Sequence, residues 1–215
     1  MNQRIKRLGR VALNIALRLA IAYFLIEALL LPNDPRFAGK AIPLRNLIVV
    51  GGLSMLFPAL WWIKNKANGR KAKAKAEYPF GTDIIFLSIF ALDMAGNSFN
   101  LYDTVNGFDL LAHFHGAGAL AAVMFLIFAA RQMAGRIKIS GFELMMLAIG
   151  IATVVHVALE AQEYYTDVIA GTHNVGGAAD TVNDLVAGLI GSFSYVAAAK
   201  AISSRIRQTQ AFFWS

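Results

Sequence analysis

Six runs of mostly apolar residues follow one another along the chain, at about 11–31, 42–63, 82–102, 108–130, 141–165 and 180–203. A helix needs about 20 such residues to cross the hydrocarbon core of a bilayer. In lipid, every backbone N–H and C=O must find its partner inside the protein, so segments of this length become helices. The expected fold is therefore all-α: a polytopic transmembrane helical bundle of about six spans, with residues 1–215 forming one integral membrane domain. Composition agrees, because 15% of the residues are charged and 57% are apolar, whereas a soluble domain carries about 25% charge. The chain has no cysteine, which removes disulfides, thiolate metal sites and a cysteine nucleophile from consideration.

The sign of the charge has a pattern. The N-terminal tail carries four Lys or Arg, the 64–75 segment six, the 131–138 segment three, and Lys200 with the tail beyond it three more. In a six-span chain all of these fall on one side. The opposite side has Arg36 and Lys40, with Arg45 just inside the second run, and segments 103–107 and 166–179 have neither Lys nor Arg. The positive-inside rule then places both termini in the cytoplasm of a multi-pass plasma-membrane protein. The net charge of +7 is thus accounted for by topology and by anionic lipid. No nucleic-acid partner is expected. The opening MNQRIKRLGR could imitate a signal peptide, but the apolar run from Val11 to Leu31 exceeds the roughly 7–15 residues of such a segment, so a retained first span is expected.

Ionisable residues inside spans are expensive and face a bundle interior or an aqueous cavity. The stretch HVALEAQEYYTDVIAGTHNVGGAADTVNDL, from His156 onward, holds the densest set. At about 100° per residue on a helix, His156, Glu160 and Glu163 share one narrow stripe on the fifth run. Asp180 and Asp184 lie about 40° apart on the sixth, Asp109 and His113 on the fourth, and Asp93 and Asn97 on the third. All fall in the half of their span nearest the outer surface, so the four stripes are expected to meet in one buried polar site. Each has a plainer reading. Asp109 and Asp180 could simply cap helix N-termini, His156 could be a buried, hydrogen-bonded imidazole, and His173 a surface histidine. His115 points away from His113, and His113 is the one expected in the site. Arg18 and Glu27, within the first run, should face protein rather than lipid.

Three pieces, D109LLAH113F, E160AQE163Y, and G171T172 followed by D180TVND184L, resemble the YjdF-type family of bacterial inner-membrane proteins. More distantly, the order of acids and histidine is similar to VanZ-like proteins, which implies a role in the cell envelope. The resemblance covers roughly residues 90–205 and implies location and fold more than chemistry.

Carboxylates mixed with imidazoles suit a divalent metal ion. The expected ligands are Asp109, His113, His156, Glu160, Asp180 and Asp184. Glu163, with Glu160, is the expected catalytic general base toward a water that the ion activates, and the substrate would be lipid-linked or part of the envelope. Two other classes stay open. The chain could be a non-catalytic subunit associated with other membrane subunits, with a histidine ligating haem or a chlorophyll-type pigment beside the small residues of HFHGAGALAA. It could also be a small-solute or proton-coupled transporter using the same buried acids. No HExxH motif is present, and four histidines are too few for a membrane desaturase. In every case the bilayer is a partner.

Overall fold

The structure is a computed structural model, and it describes residues 3–38, 40, 42–68 and 77–207. Among the described residues the regular structure is all helical, as the apolar runs require, with eight helices and no strand. They are α1 (Gln3–Leu30), α2 (Ile42–Ser54), α3 (Leu56–Asn68), α4 (Phe80–Ser98), α5 (Leu101–Thr104), α6 (Phe108–Met133), α7 (Gly141–Ala170) and α8 (Ala178–Arg207). Five of them are long and apolar enough to cross a membrane, and the bent pair α2–α3 brings the number to six. Most of the basic 64–75 segment lies outside the described residues.

The second run is not one straight helix. It breaks between Leu47–Ser54 and Leu56–Lys66 with a bend of 43°. Pro58 supplies the reason. It has no N–H, and the carbonyl it would have served four residues back belongs to Ser54. Arg18 of α1 fills the gap, donating from Nη1 to the Ser54 carbonyl at 2.5 Å.

The third run is shorter than its apolar pattern, because Asn100 turns left-handed (φ 56°) and splits off α5. The fifth run is longer. It continues to Ala170 and stops at Gly171, whose φ of 66° suits the residue without a Cβ. The 171–177 loop is then held by Asp167, which accepts from the Asn174 and Val175 amides and from the Thr172 hydroxyl at 2.5–2.9 Å.

Two apolar clusters share α6. In one, Ile21, Phe24, Val50, Phe57, Phe86 and Phe90 join α1, the α2–α3 pair and α4 around Val123. In the other, Ala121, Phe125, Leu144, Ala148 and Val196 join α6, α7 and α8. Large apolar side chains such as Leu19, Val154 and Phe193 stay exposed on the outside, as a lipid-facing surface requires. Helices α6 and α8 approach each other closely at two glycines. A Cβ on Gly191 would run into the backbone of Phe114, and one on Gly118 would stand 2.9 Å from the Gly191 carbonyl. This approach sets the depth at which side chains of α6 and α8 meet.

Candidate functional site

The end of the bundle where α5 lies is also where α6 and α8 begin. Asp109 is the second residue of α6 and His113 stands one turn further in. Asp184 lies two turns into α8, on the face that Gly188 and Gly191 bring against α6. His156 and Glu160 come from α7, one turn apart. Because α7 overshoots the site before turning at Gly171, Glu160 sits about 15 Å before its end rather than within its last turns.

These five side chains converge. His113 Nδ1 is 2.8 Å from His156 Nε2 and 3.3 Å from Glu160 Oε1. His156 Nε2 is 3.6 Å from the same Glu160 oxygen. On the other edge of the His113 ring, Nε2 lies 3.3 Å from Asp109 Oδ1 and 4.0 Å from Asp184 Oδ2. One imidazole therefore joins two groups of ligating atoms: His113, His156 and Glu160 deeper in, and Asp109, His113 and Asp184 nearer the α5 end. His156, Glu160 and Asp184 are buried, and Asp109 is the most exposed of the five.

Gly188 makes the inner group fit. A Cβ there would fall inside the imidazole of His156, so α8 can lie against that ring only with glycine at this position. The sequence offered a weak hint, a glycine one turn beyond Asp184 on a helix with four-residue polar spacing.

The charge balance is unusual. Three carboxylates face two imidazoles, and among the described residues none of the three is paired with an arginine or lysine. Glu160 Oε1 and Asp184 Oδ1 are buried without a hydrogen-bond partner. Buried anions are ordinarily paired or bound to a metal.

The remaining sequence candidates stand elsewhere. Asp180 is in the first turn of α8 and accepts from the amide of Gly176, in the loop before the helix, at 2.9 Å. Glu163 is half-buried one turn past Glu160. Neither belongs to the two groups of converging atoms. His115 has both nitrogens engaged, at 3.0 Å from Ser88 Oγ and 2.8 Å from Tyr195 Oη, and bridges α4 to α8. His173 is exposed in the loop. The α4 stripe does not join the cluster. Asp93 takes the Tyr102 hydroxyl at 2.8 Å, and the Asn97 side-chain amide turns back to the Asp93 carbonyl.

Arg18 and Glu27 do face protein. Arg18 Nη2 reaches Asp83 Oδ2 at 2.6 Å, and the same oxygen accepts from Tyr78 Oη and Asn14 Nδ2. Burial raises the Tyr78 phenol well above its ordinary pKa, helped by its bond to Asp83, so it stays a donor. At the α5 end, Arg36 binds Asp34, Glu27 at 2.9 Å and the Ser98 carbonyl.

A family model described as "Predicted membrane protein (DUF2238)" matches residues 13–205. No curated protein and no solved structure matches the chain.

Proposed function

We propose, for a chain that belongs to this family of predicted membrane proteins, that the inner group is a divalent metal site serving a lipid- or envelope-related reaction in the bacterial inner membrane. The observation that carries the reading is the meeting of His113 Nδ1, His156 Nε2 and Glu160 Oε1 at 2.8–3.6 Å with no Arg or Lys among them. Ligands about 2.0–2.1 Å from one tetrahedral ion stand about 3.4 Å apart. The two carboxylate distances already fit that spacing, and the two rings need to part by only about half an ångström. Two histidines and one carboxylate leave coordination positions open, the pattern of catalytic rather than closed structural sites.

His113 cannot serve both groups at once as a neutral imidazole. With Nδ1 as a ligand, Nε2 carries the proton and points it at Asp109 and Asp184, which orient the ring in the way carboxylates behind metal-bound histidines do. Asp109 and Asp184 therefore act as orienting residues rather than ligands, and Asp180 as the acceptor of a loop amide. A bound ion would supply Lewis acidity. Glu163, one turn toward the surface, is the group placed to take a proton from a reactant entering from the α5 end. The Lys and Arg distribution supports cytoplasmic termini, which puts the site in the outer half of the membrane. The resemblance to YjdF-type and VanZ-like proteins supports an envelope role. Against a haem or pigment, the small residues near His113 are consumed in α6–α8 packing, and His115 has no free nitrogen to offer as an axial ligand.

Elemental analysis of the purified protein tests the reading. One equivalent of a transition metal is expected in the native chain and less than a tenth of that in His156→Ala. Asp184→Asn should weaken binding about 10–100-fold, the usual effect of losing such an orienting partner. A native protein that stays metal-free after exposure to Zn, Mn and Fe would refute it.

A further inference from the structure

We propose that the outer group, Asp109, His113 Nε2 and Asp184, is a second station for the same divalent ion, through which that ion enters and leaves the inner group. The proposal rests on the reading of the inner group as a metal site and adds the route by which it is filled.

His113 belongs to both groups through opposite edges of one ring. Nδ1 faces His156 Nε2 at 2.8 Å and Glu160 Oε1 at 3.3 Å, and Nε2 faces Asp109 Oδ1 at 3.3 Å and Asp184 Oδ2 at 4.0 Å. A neutral imidazole has a lone pair on one nitrogen and an N–H on the other. With the ion inside, Nδ1 binds it and the Nε2–H turns to Asp109 and Asp184. With the ion outside, Nε2 binds it and the Nδ1–H turns to Glu160 and His156. The empty station thus supplies the acceptors that hold the ring for the filled one. The two tautomers carry the same number of protons, so the ion changes station without net protonation. Filling both stations at once would require the ring to lose its remaining N–H proton, so one ion at a time is expected.

The spacing suits a metal ion better than an organic cation. Ligands about 2.0–2.2 Å from one ion stand about 3–4 Å apart. An ammonium donating at about 2.9 Å would hold its acceptors about 4.7 Å apart. The separations from Nε2, 3.3 and 4.0 Å, fall in the first range, and all three ligating atoms lie within 4.8 Å of one another. Asp184 is an independent sign of a missing partner. It is 3% exposed, and its Oδ1 is buried without a hydrogen bond. Asp83 also has an orphan oxygen, but the Arg18 guanidinium sits 2.6 Å from the other one, whereas no Arg or Lys among the described residues pairs with Asp184. A helix N-terminus accounts for an acid at Asp109, but not for one two turns into α8.

Burial and ligand type give the direction. Side-chain exposure falls from 41% at Asp109 to 17% at His113 and 6% at Glu160 and His156. An ion arriving from water meets Asp109 before it meets either inner ligand, and a pair of unanswered acids speeds the arrival of a cation. The outer station offers two carboxylates and one imidazole, and the inner station two imidazoles and one carboxylate. Imidazole is the better ligand for a transition-type ion, so the step inward is downhill.

The test is Zn²⁺ binding to the full chain in phosphatidylcholine nanodiscs, counted and timed with a chromophoric chelator above empty discs. The native chain should bind one Zn²⁺ and not two. Asp109→Asn, an isosteric change at a partly exposed first turn, should still bind one, with loading and release both slower by at least about tenfold. A residue that only orients the His113 ring would instead speed release and leave loading unchanged. His156→Ala removes a ligand from the inner station alone. It should keep one Zn²⁺ held at least about tenfold more weakly, which purification strips, and lose it when Asp184→Asn is added. Two Zn²⁺ in the native chain, native loading or faster release in Asp109→Asn, or no Zn²⁺ in His156→Ala at about 1 mM would overturn the proposal while leaving the inner site standing. A native chain that takes no ion refutes the metal reading itself, so the native count tells the two failures apart.

Discussion

Two buried polar groups lie in this bundle, and they are built on opposite principles. On the α1–α4 side, Asp83 is fully buried, and one of its oxygens gathers Arg18, Tyr78 and Asn14. Arg18 also closes the break that Pro58 leaves in the second span. Charge is answered by charge within the protein, and the group ties three helical segments together. On the α6–α8 side, Asp109, Glu160 and Asp184 crowd around two imidazoles, with buried oxygens left unanswered. The first group carries its own countercharge in Arg18, although the other Asp83 oxygen, Oδ1, is also buried without a hydrogen-bond partner. In the second, no Arg or Lys among the described residues answers the acids, and the proposed metal reading turns on that difference. Burial of acids in a membrane protein is thus not a functional signal by itself. What separates a structural latch from a site is whether the chain supplies the countercharge.

Substitutions should divide the two groups, and the largest effect belongs to the latch. Asp83→Asn leaves Arg18 without its anion, and breaking such a pair costs about 3 kcal/mol or more. Thermal unfolding in detergent should show a large loss, with metal content unchanged. The isosteric Glu160→Gln in metal-free protein should change stability by less than about 1 kcal/mol, since that carboxylate has no Arg or Lys partner among the described residues and its Oε1 accepts no hydrogen bond, while metal binding falls. Equal stability losses in the two variants would dissolve the distinction.

Next in size is Gly188→Ala. The added methyl meets the His156 ring, and overpacking of this kind costs about 1–3 kcal/mol. The sharper readout is metal affinity, which should fall even though no ligand has changed. Gly150→Ala, at an α7 glycine with open space beyond it, is the control: metal affinity should be unaltered and stability equal or higher by up to about 1 kcal/mol, because alanine is the better helix former.

The smallest effect concerns pH at the α5 end. Hydrogen bonds from Arg36 hold the half-buried Asp34 carboxyl down to about 2. A carboxyl lowered on folding contributes stability that is present above its unfolded pKa and lost as pH falls through the folded one. The clamp on the α1–α2 connection should therefore persist at about pH 4. Amide exchange at Phe37 and Ala38, whose N–H groups bond to the Asp34 carbonyl, should stay slow there in the native chain. In Asp34→Ala it should be faster. Exchange that already accelerates between about pH 5 and 4 would show that the clamp is weaker than its geometry.

The helical rotation of 100° per residue was sufficient to place His156 with Glu160 and Asp109 with His113, because both pairs lie within one helix. It was not sufficient to decide that the Asp93–Asn97 stripe would turn to Tyr102 and its own backbone, or that Asp180 would close a loop amide. Those outcomes depend on neighbours far along the chain. Pro58 was a readable signal for the break in the second span, since a missing N–H acts locally. Its repair by Arg18, forty residues earlier in the chain, was not readable.

Length, apolarity and the sidedness of Lys and Arg alone determine that this chain forms membrane-length helices and which residues share a face on each. They do so because helix hydrogen bonds and side-chain direction are set within a few residues. Only the tertiary structure decided which faces meet. That choice follows from how closely two helices can approach, and here glycines at 118, 188 and 191 let α8 settle against α6 and the His156 ring, which brings three separated acids around two histidines.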